Sequence, residues 1–377
     1  MRGNIKQRSK GSWRLRYDGP PDASGKRKQI SETVRGTKKE AENVLRERLQ
    51  AVEQGSYVAK SQDTVGEFLD RWLDTYAATN TSPSTQRGYA AVVRRYLRPG
   101  LGHLAVQGLT GAGIQAVYAA LVERGLSATT VTHVHRVLSQ ALSHGVKSGL
   151  LVRNAAQAAT PPRIRRRDVE MWDARTINEF LQAATGSPYL AFYHLAILTG
   201  MRRSELAGLR WQDVNLTAAT LSVVRTLHRI NGKGLVVSQP KTTKSRRSIA
   251  LSPDAVDLLH ATRGTQLERR LVAGEAWEDA GYVFTQAEGK PLHPDKVSNV
   301  FHSIVVKAGL PHLTLHGLRH AHATLLLEAG VHPKVVSERL GHASVAITLD
   351  IYSHVLPGIQ AAAALAVDEQ LAGHGTG

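Results

Sequence analysis

The chain contains no cysteine. That excludes a disulfide framework, a thiolate nucleophile and any Cys-ligated zinc. It also has no run of 18 or more apolar residues, so no membrane-spanning segment is expected. The basic start, MRGNIKQRSKGSWRLRY, lacks the apolar stretch of a signal peptide. A soluble cytoplasmic protein without a membrane partner is the expectation. Acidic residues are scarce: 31 Asp and Glu stand against 48 Lys and Arg, a net charge of +17.

What is present is unevenly placed. Residues 1–62 carry 15 basic and 7 acidic residues, residues 63–167 carry 13 and 5, and residues 168–377 carry 20 and 19. The first two stretches are thus +8 each and the last only +1. A polyanion attracted by the first half of the chain follows, with salt-dependent binding through counterion release. At 377 residues the chain is too long for one ordinary core, and its 42% apolar content suffices for two or three.

Three segments read differently. In the first, GSWRLRY (11–17) alternates like a strand, with Trp13, Leu15 and Tyr17 on one face and Arg14 and Arg16 on the other. PPDASGK (20–26) supplies a turn, RKQISETV a second strand, and KKEAENVLRERLQAV a helix with Ala41, Val44, Leu45, Leu49 and Val52 inward. Such a module is too small for catalysis but suits laying a strand face on nucleic acid. In the second, TVGEFLDRWLDTYA, SPSTQRGYAAVVRRYL, GAGIQAVYAALVERG and SATTVTHVHRVLSQALSHGVKSG all show helical apolar spacing between Gly, Pro, Ser or Thr boundaries. No carboxylate cluster joins His133, His135 and His144, which read as surface or packing residues. QAATPPRIRRRD (157–168) is a basic linker. The third segment opens with helices at DARTINEFLQAAT, PYLAFYHLAILTG and RSELAGLRWQDV, passes through strands at TLSVVRTLHRI, GLVVSQPKT and SRRSIAL, and is then mostly helical.

The densest chemistry lies in TLHGLRHAHATLLLEAG (314–330). A helix beginning near His316 puts positions 316, 319 and 320 on one face, beside unsatisfied backbone N–H groups. Converging donors and positive charge describe an anion site. The His316–His320 spacing also suits zinc, but no carboxylate completes a shell and Arg319 would repel a cation. Further along, LGHASVAITLDIYSHV (340–355) has Gly341 as a helix stop, then His342, then Tyr352 after a short apolar helix. Upstream, LTGMRRSELAGL (198–209) places Arg202 after a Gly200 turn, and PKTTKSRRSIAL (240–251) reads as a basic β-hairpin tip.

Taken together, the order TG-x-R-x-SE, a hairpin lysine, H-x-x-R-H, LGH and a tyrosine ten residues later resembles the tyrosine recombinases of the phage-integrase type, over roughly residues 170–360. The resemblance implies a multidomain fold. A small β-sheet plus helix forms an arm-type DNA-binding module (1–60). An all-α core-binding domain (63–156) and the basic linker (157–168) precede a mixed α+β, mainly α, catalytic domain (169–365) and a C-terminal tail (366–377). It implies Arg202 and Arg319 as catalytic arginines, Lys241 as the hairpin lysine with Lys244 as alternative, His316 and His342 as the histidines, and Tyr352 as nucleophile. His354, where many members have a histidine, receives no chemical role. Position 317 is Gly where the family commonly has Asp, which would loosen the helix start, and LLVRNAA lacks a proline common after the Asn.

The implied reaction is transesterification at a DNA phosphodiester through a 3′-phosphotyrosyl link, without metal or other cofactor. The implied partners are double-stranded attachment-site DNA, a homotetramer on that DNA, and accessory excision or DNA-bending proteins. A bacterial or phage-encoded origin is expected. The segment AAAALAVDEQLAG (361–373) either closes its own domain or passes to a neighbouring subunit. Competing expectations are a type IB topoisomerase-like enzyme, a non-catalytic DNA-binding regulator and a His-based metal nuclease.

Overall fold

The protein is described from a computed structural model, which covers residues 3–21, 25–164, 171–230, 232, 234–239, 245–352, 365 and 368. The chain divides into two compact units, Met1–Arg167 and Asp168–Gly377. Among the described residues no helix is long and apolar enough to cross a membrane.

The first unit starts with an antiparallel sheet of β1 (Gly3–Ser9), β2 (Ser12–Pro21) and β3 (Arg27–Arg35), in that order. Helix α1 (Lys38–Glu53) starts at a capping box in which Thr37 and Glu40 satisfy each other's backbone N–H. Leu15 and Tyr17 of β2 are buried against Ala41 and Leu45, while Arg16 stays exposed, as the alternation requires. Trp13 is only half-buried and donates its indole N–H to the Gly36 carbonyl at 3.0 Å. Strand β1 was not expected from the sequence. Its GNIKQRS is exposed at six of seven positions, so an edge strand without an apolar face carries no period-two signal.

The rest of this unit is helical. Helix α2 (Val65–Trp72) runs through a π-turn (Leu73–Ala77) into α3 (Ala78–Asn80). Helix α4 (Pro83–Val92) runs likewise through Val93–Leu97 into α5 (Arg98–Leu101), and α6 (Gly111–Glu123) and α7 (Ala128–Lys147) follow. Thr64, Ser82, Thr110 and Ser127 each accept the N–H three residues on, which is why the Ser and Thr boundaries are legible. His135 Nδ1 meets the Tyr118 hydroxyl at 3.0 Å and His144 packs on Tyr76, both as packing residues.

The second unit contains α8 (Ala174–Ala183), α9 (Leu190–Thr199), α10 (Arg203–Ala207), the strands β4 (Val214–Asn215), β5 (Thr220–Val223), β6 (Thr226–Ile230), β7 (Gly234–Ser238) and β8 (Arg247–Ala250), then α11 (Pro253–Ala273), α12 (Pro294–Lys307), α13 (Gly317–Glu328), α14 (Pro333–Leu340) and α15 (Val345–Tyr352). Its core joins Phe180, Tyr193 and Phe301 with Leu221, Ile249 and Leu318. Three expectations change. TLSVVRTLHRI is two strands: β5 lies between β4 and β8, whereas β6 pairs with β7 in a separate sheet. Strands β7 and β8, expected to flank a hairpin tip, therefore lie in different sheets. RSELAGLRWQDV is α-helical only to Ala207 and resumes as a 3-10 turn at Trp211–Asp213; between them the β6 backbone packs on Gly208, where a Cβ would lie 3.1 Å from the Leu227 nitrogen. The linker residues 165–168 and most of 361–373 lie outside the described residues.

Candidate active site

Helix α9 ends at Gly200, which adopts the left-handed conformation (φ 63°). A Cβ there would also lie 2.5 Å from the His322 ring, so glycine is demanded twice. The turn delivers Arg202 to the N-cap of α10 in an extended conformation. Glu205, three residues on, accepts the Arg202 backbone N–H at 2.9 Å and its Nη1 at 2.8 Å. Both Glu205 oxygens also accept from Arg247 of β8, Oε2 at 2.9 Å and Oε1 at 3.2 Å. Burial alone would raise the Glu205 carboxyl, but the hydrogen bonds and charge of Arg247, together with Arg202, hold it below the usual range.

Helix α13 supplies the second cluster. Gly317 is its first residue, and a Cβ there would overlap the buried Leu313 side chain. The glycine at this position thus has a packing reason. Arg319 is buried and donates to the Gly200 carbonyl at 2.9 Å and the Leu340 carbonyl at 2.6 Å. His316 and His320 meet edge to face, ring centroids 5.1 Å apart. His316 is solvent-exposed, yet the partial desolvation of its ring first, then the His320, Arg319 and Arg202 charges, push it down to about 4. His320 is pushed down too, by burial and then Arg319. His322 faces away, with Nδ1 2.7 Å from the Ile197 carbonyl and Nε2 accepting from Arg339 Nε at 3.2 Å.

Helix α14 ends at Gly341, again left-handed at φ 67°, and turns the chain so that His342 follows. His342 Nδ1 lies 2.8 Å from the Thr348 hydroxyl. Burial, followed by the Arg319 and Arg202 charges, pushes this imidazole to about 4. Arg202, His316, Arg319 and His342 all line one cavity of about 540 Å³, together with Glu205, Ser245, His228 and His320. Tyr352 closes α15, ten residues after His342, but its side chain lies outside the described residues, as do Lys241, Lys244 and His354.

Four of the six expected residues therefore share one pocket. Its electrostatics suit an anion: two arginines, the His316 and His342 imidazoles pushed down to about 4 and so neutral at pH 7, and one carboxylate already engaged by arginines. Among the described residues, no group of three or more His, Asp or Glu is placed to hold a metal ion. Sequence reading missed the partners behind the pocket. Glu205 was legible as the third residue after an N-cap, but Arg247, Arg339 and Thr348 had no local signal, because their partners lie far along the chain or behind the site.

Comparison with known proteins places this geometry. The family described as phage integrase family matches residues 169–358, and the phage integrase N-terminal SAM-like domain matches residues 64–122. A protein of Caldanaerobacter subterraneus subsp. tengcongensis described as tyrosine recombinase XerC-like is 30% identical over 339 residues, 85% of this chain and 87% of that protein. The fold matches the Tn1549 transposon integrase in complex with a circular intermediate DNA, with a TM-score of 0.69 at 21% identity over 82% of this chain and 99% of that one. It also matches a lambda integrase dimer bound to a core site, with a TM-score of 0.58 at 19% identity over 92% and 94% of the two chains. With residues 169–358 matched and a relative at 30% identity along most of its length, the chain belongs to the phage integrase family of tyrosine recombinases, enzymes of site-specific DNA cleavage and strand transfer.

Proposed function

We propose that the chain integrates or excises a mobile element by acting on double-stranded attachment-site DNA as a homotetramer, in the cytoplasm of a bacterial cell. The lambda integrase tetramer bound to a Holliday junction supports the assembly. On this reading residues 1–60 grip arm-type DNA, 63–156 and the basic linker 157–168 clamp the core site, 169–365 carry the chemistry, and 366–377 form the tail. The net charge of +8 on each of the first two stretches supports the division of labour.

The pocket supports roles for the residues that line it, and the resemblance supplies those of Tyr352 and the hairpin lysine. Tyr352 Oη attacks phosphorus, the P–O5′ bond breaks, and a 3′-phosphotyrosyl ester conserves the bond energy. A phenol of pKa ~10 is a weak nucleophile until its proton is withdrawn. His316, neutral because its pKa is near 4, can take that proton. Arg202 and Arg319 stabilise the charge on the non-bridging oxygens, and each such donor is worth on the order of 3 kcal/mol. His342, held through Nδ1 by Thr348, presents Nε2 to the phosphate. Lys241, with Lys244 as alternative, protonates the leaving 5′-oxygen.

The observation that carries the reading is the convergence of Arg202, His316, Arg319 and His342 on one cavity, with α15 leading from it to Tyr352. The test is covalent trapping on nicked attachment-region DNA in EDTA. An SDS-resistant adduct mapped to Tyr352, absent in Tyr352→Phe although that variant still binds DNA, is the expected result. Normal cleavage by Tyr352→Phe removes the nucleophile assignment. Salt-sensitive binding without any adduct in the parent favours a non-catalytic DNA-binding protein.

A further inference from the structure

Three consecutive backbone carbonyls close helix α14, and each accepts a hydrogen bond from a different arginine. The Arg339 carbonyl takes Arg247 Nε at 2.6 Å, the Leu340 carbonyl takes Arg319 Nη2 at 2.6 Å, and the Gly341 carbonyl takes Arg202 Nη2 at 3.4 Å. The last carbonyls of a helix have no partner within it and carry its partial negative charge, so they attract cations. Two of these three arginines line the anion pocket; Arg247 does not.

Arg247 is placed behind them. It is the first residue of β8 and pairs in register with Val223 of β5. Its side chain is 6% exposed and faces Glu205, 1% exposed, through two hydrogen bonds. Glu205 holds Arg202 by its side chain and its backbone. One guanidinium therefore fixes the carboxylate that sets Arg202 and the helix end that receives Arg202 and Arg319. Without Arg247, Glu205 would be a buried carboxylate with half its cationic partners, free to draw Arg202 inward and away from a phosphate.

We propose that Arg247 is a positioning residue of the strand-transfer reaction, setting Arg202 and Arg319 through Glu205 and the C-terminal carbonyls of α14. The inference rests on the proposed function, since it concerns the same pocket.

The test compares the parent with Arg247→Lys and Arg247→Met. The readouts are the single-turnover rate of adduct formation at saturating nicked DNA, DNA affinity and the thermal midpoint. A lysine keeps the charge but cannot fork two oxygens and donate from Nε as well. Arg247→Lys should slow adduct formation about tenfold or more, and Arg247→Met about a hundredfold, with affinity within roughly threefold of the parent. A second DNA carries a methylphosphonate at the scissile phosphate, which removes one charged non-bridging oxygen. If Arg247 acts through the arginines on that charge, the Arg247→Lys deficit shrinks several-fold on this DNA. A purely structural cation gives the same deficit on both DNAs, which overturns the inference, as does a lysine variant as fast as the parent. Should Arg247→Met fail to fold, the lysine variant alone decides. A parent that forms no adduct overturns the proposed function and this inference with it, whereas a competent parent matched by its lysine variant overturns this inference alone.

Discussion

His342 and Thr348 are joined across the turn between α14 and α15 by a 2.8 Å contact from the imidazole Nδ1 to the hydroxyl. Thr348 is fully buried, so its hydroxyl serves this ring and not solvent. The contact fixes which ring nitrogen points toward the cavity, as a hydrogen bond on one imidazole nitrogen does generally. Thr348→Val keeps the shape and removes the hydroxyl. We expect adduct formation to fall about tenfold to a hundredfold, with DNA affinity and the thermal midpoint little changed. Single-turnover cleavage measured beside a binding isotherm checks this. An unchanged rate would show that His342 needs no such orientation.

Much of this site is legible in the sequence, and the limits are physical. Arg202, His316, Arg319 and His342 sit beside glycine turns and helix starts, where short motifs fix local geometry. Gly200 and Gly341, both left-handed, mark those turns directly. Arg247 escapes notice because its partner Glu205 is reached only through tertiary packing, and Thr348 because a contact across a turn to His342 leaves no spacing motif in the sequence. The fold divides in the same way. Helices with a buried stripe and a Ser or Thr cap are readable, whereas the edge strand β1 lacks an apolar face. The break between β5 and β6 falls at Val224 and Arg225, inside a stretch whose pattern suits one strand as well as two.

Acid should destabilise the unit built from residues 168–377 through His322. This imidazole is 6% exposed. Burial, then the Arg339 charge, push it to about 4, against the bond to Ile197 that works the other way. Its unfolded value is about 6.5, so between about pH 4 and 6.5 the unfolded chain binds more protons and stability rises with pH. The contribution is complete above about pH 6.5 and lost as pH falls toward 4. It amounts to roughly 3 kcal/mol. His322→Gln, which retains hydrogen-bonding capacity without the titration, should flatten the fall in the thermal midpoint between pH 6.5 and 4.5. An equally steep fall in the variant would assign the acid sensitivity to other groups.

The same sign applies to chemistry at His316 and His342. Both are near 4 and hence neutral through the physiological range. The cleavage rate of the parent should therefore show no loss attributable to these imidazoles between about pH 6 and 8, and should drop only as pH approaches their values. A pH–rate profile under single turnover measures this. A break near pH 6.5 that vanishes in His316→Gln would mean that the ring is far better solvated than its crowded position implies.

Arg14 and Arg16 lie on the face of β2 opposite the buried Leu15 and Tyr17, so they can be removed without opening the small core of the N-terminal sheet. If this face meets DNA phosphates, each arginine releases about one counterion on binding. The slope of log Kobs against log salt should then become shallower by about 0.9 for each phosphate no longer gripped, close to 2 for Arg14→Ala with Arg16→Ala. On the proposed division, which gives the core site to residues 63–168, the effect should appear only on DNA that includes arm-type sequence. Titrations at several salt concentrations on long and short duplexes separate the two. A loss of slope on both would spread the grip of this sheet beyond the arm. No loss on either would leave the +8 charge of residues 1–62 to some surface other than the β2 face.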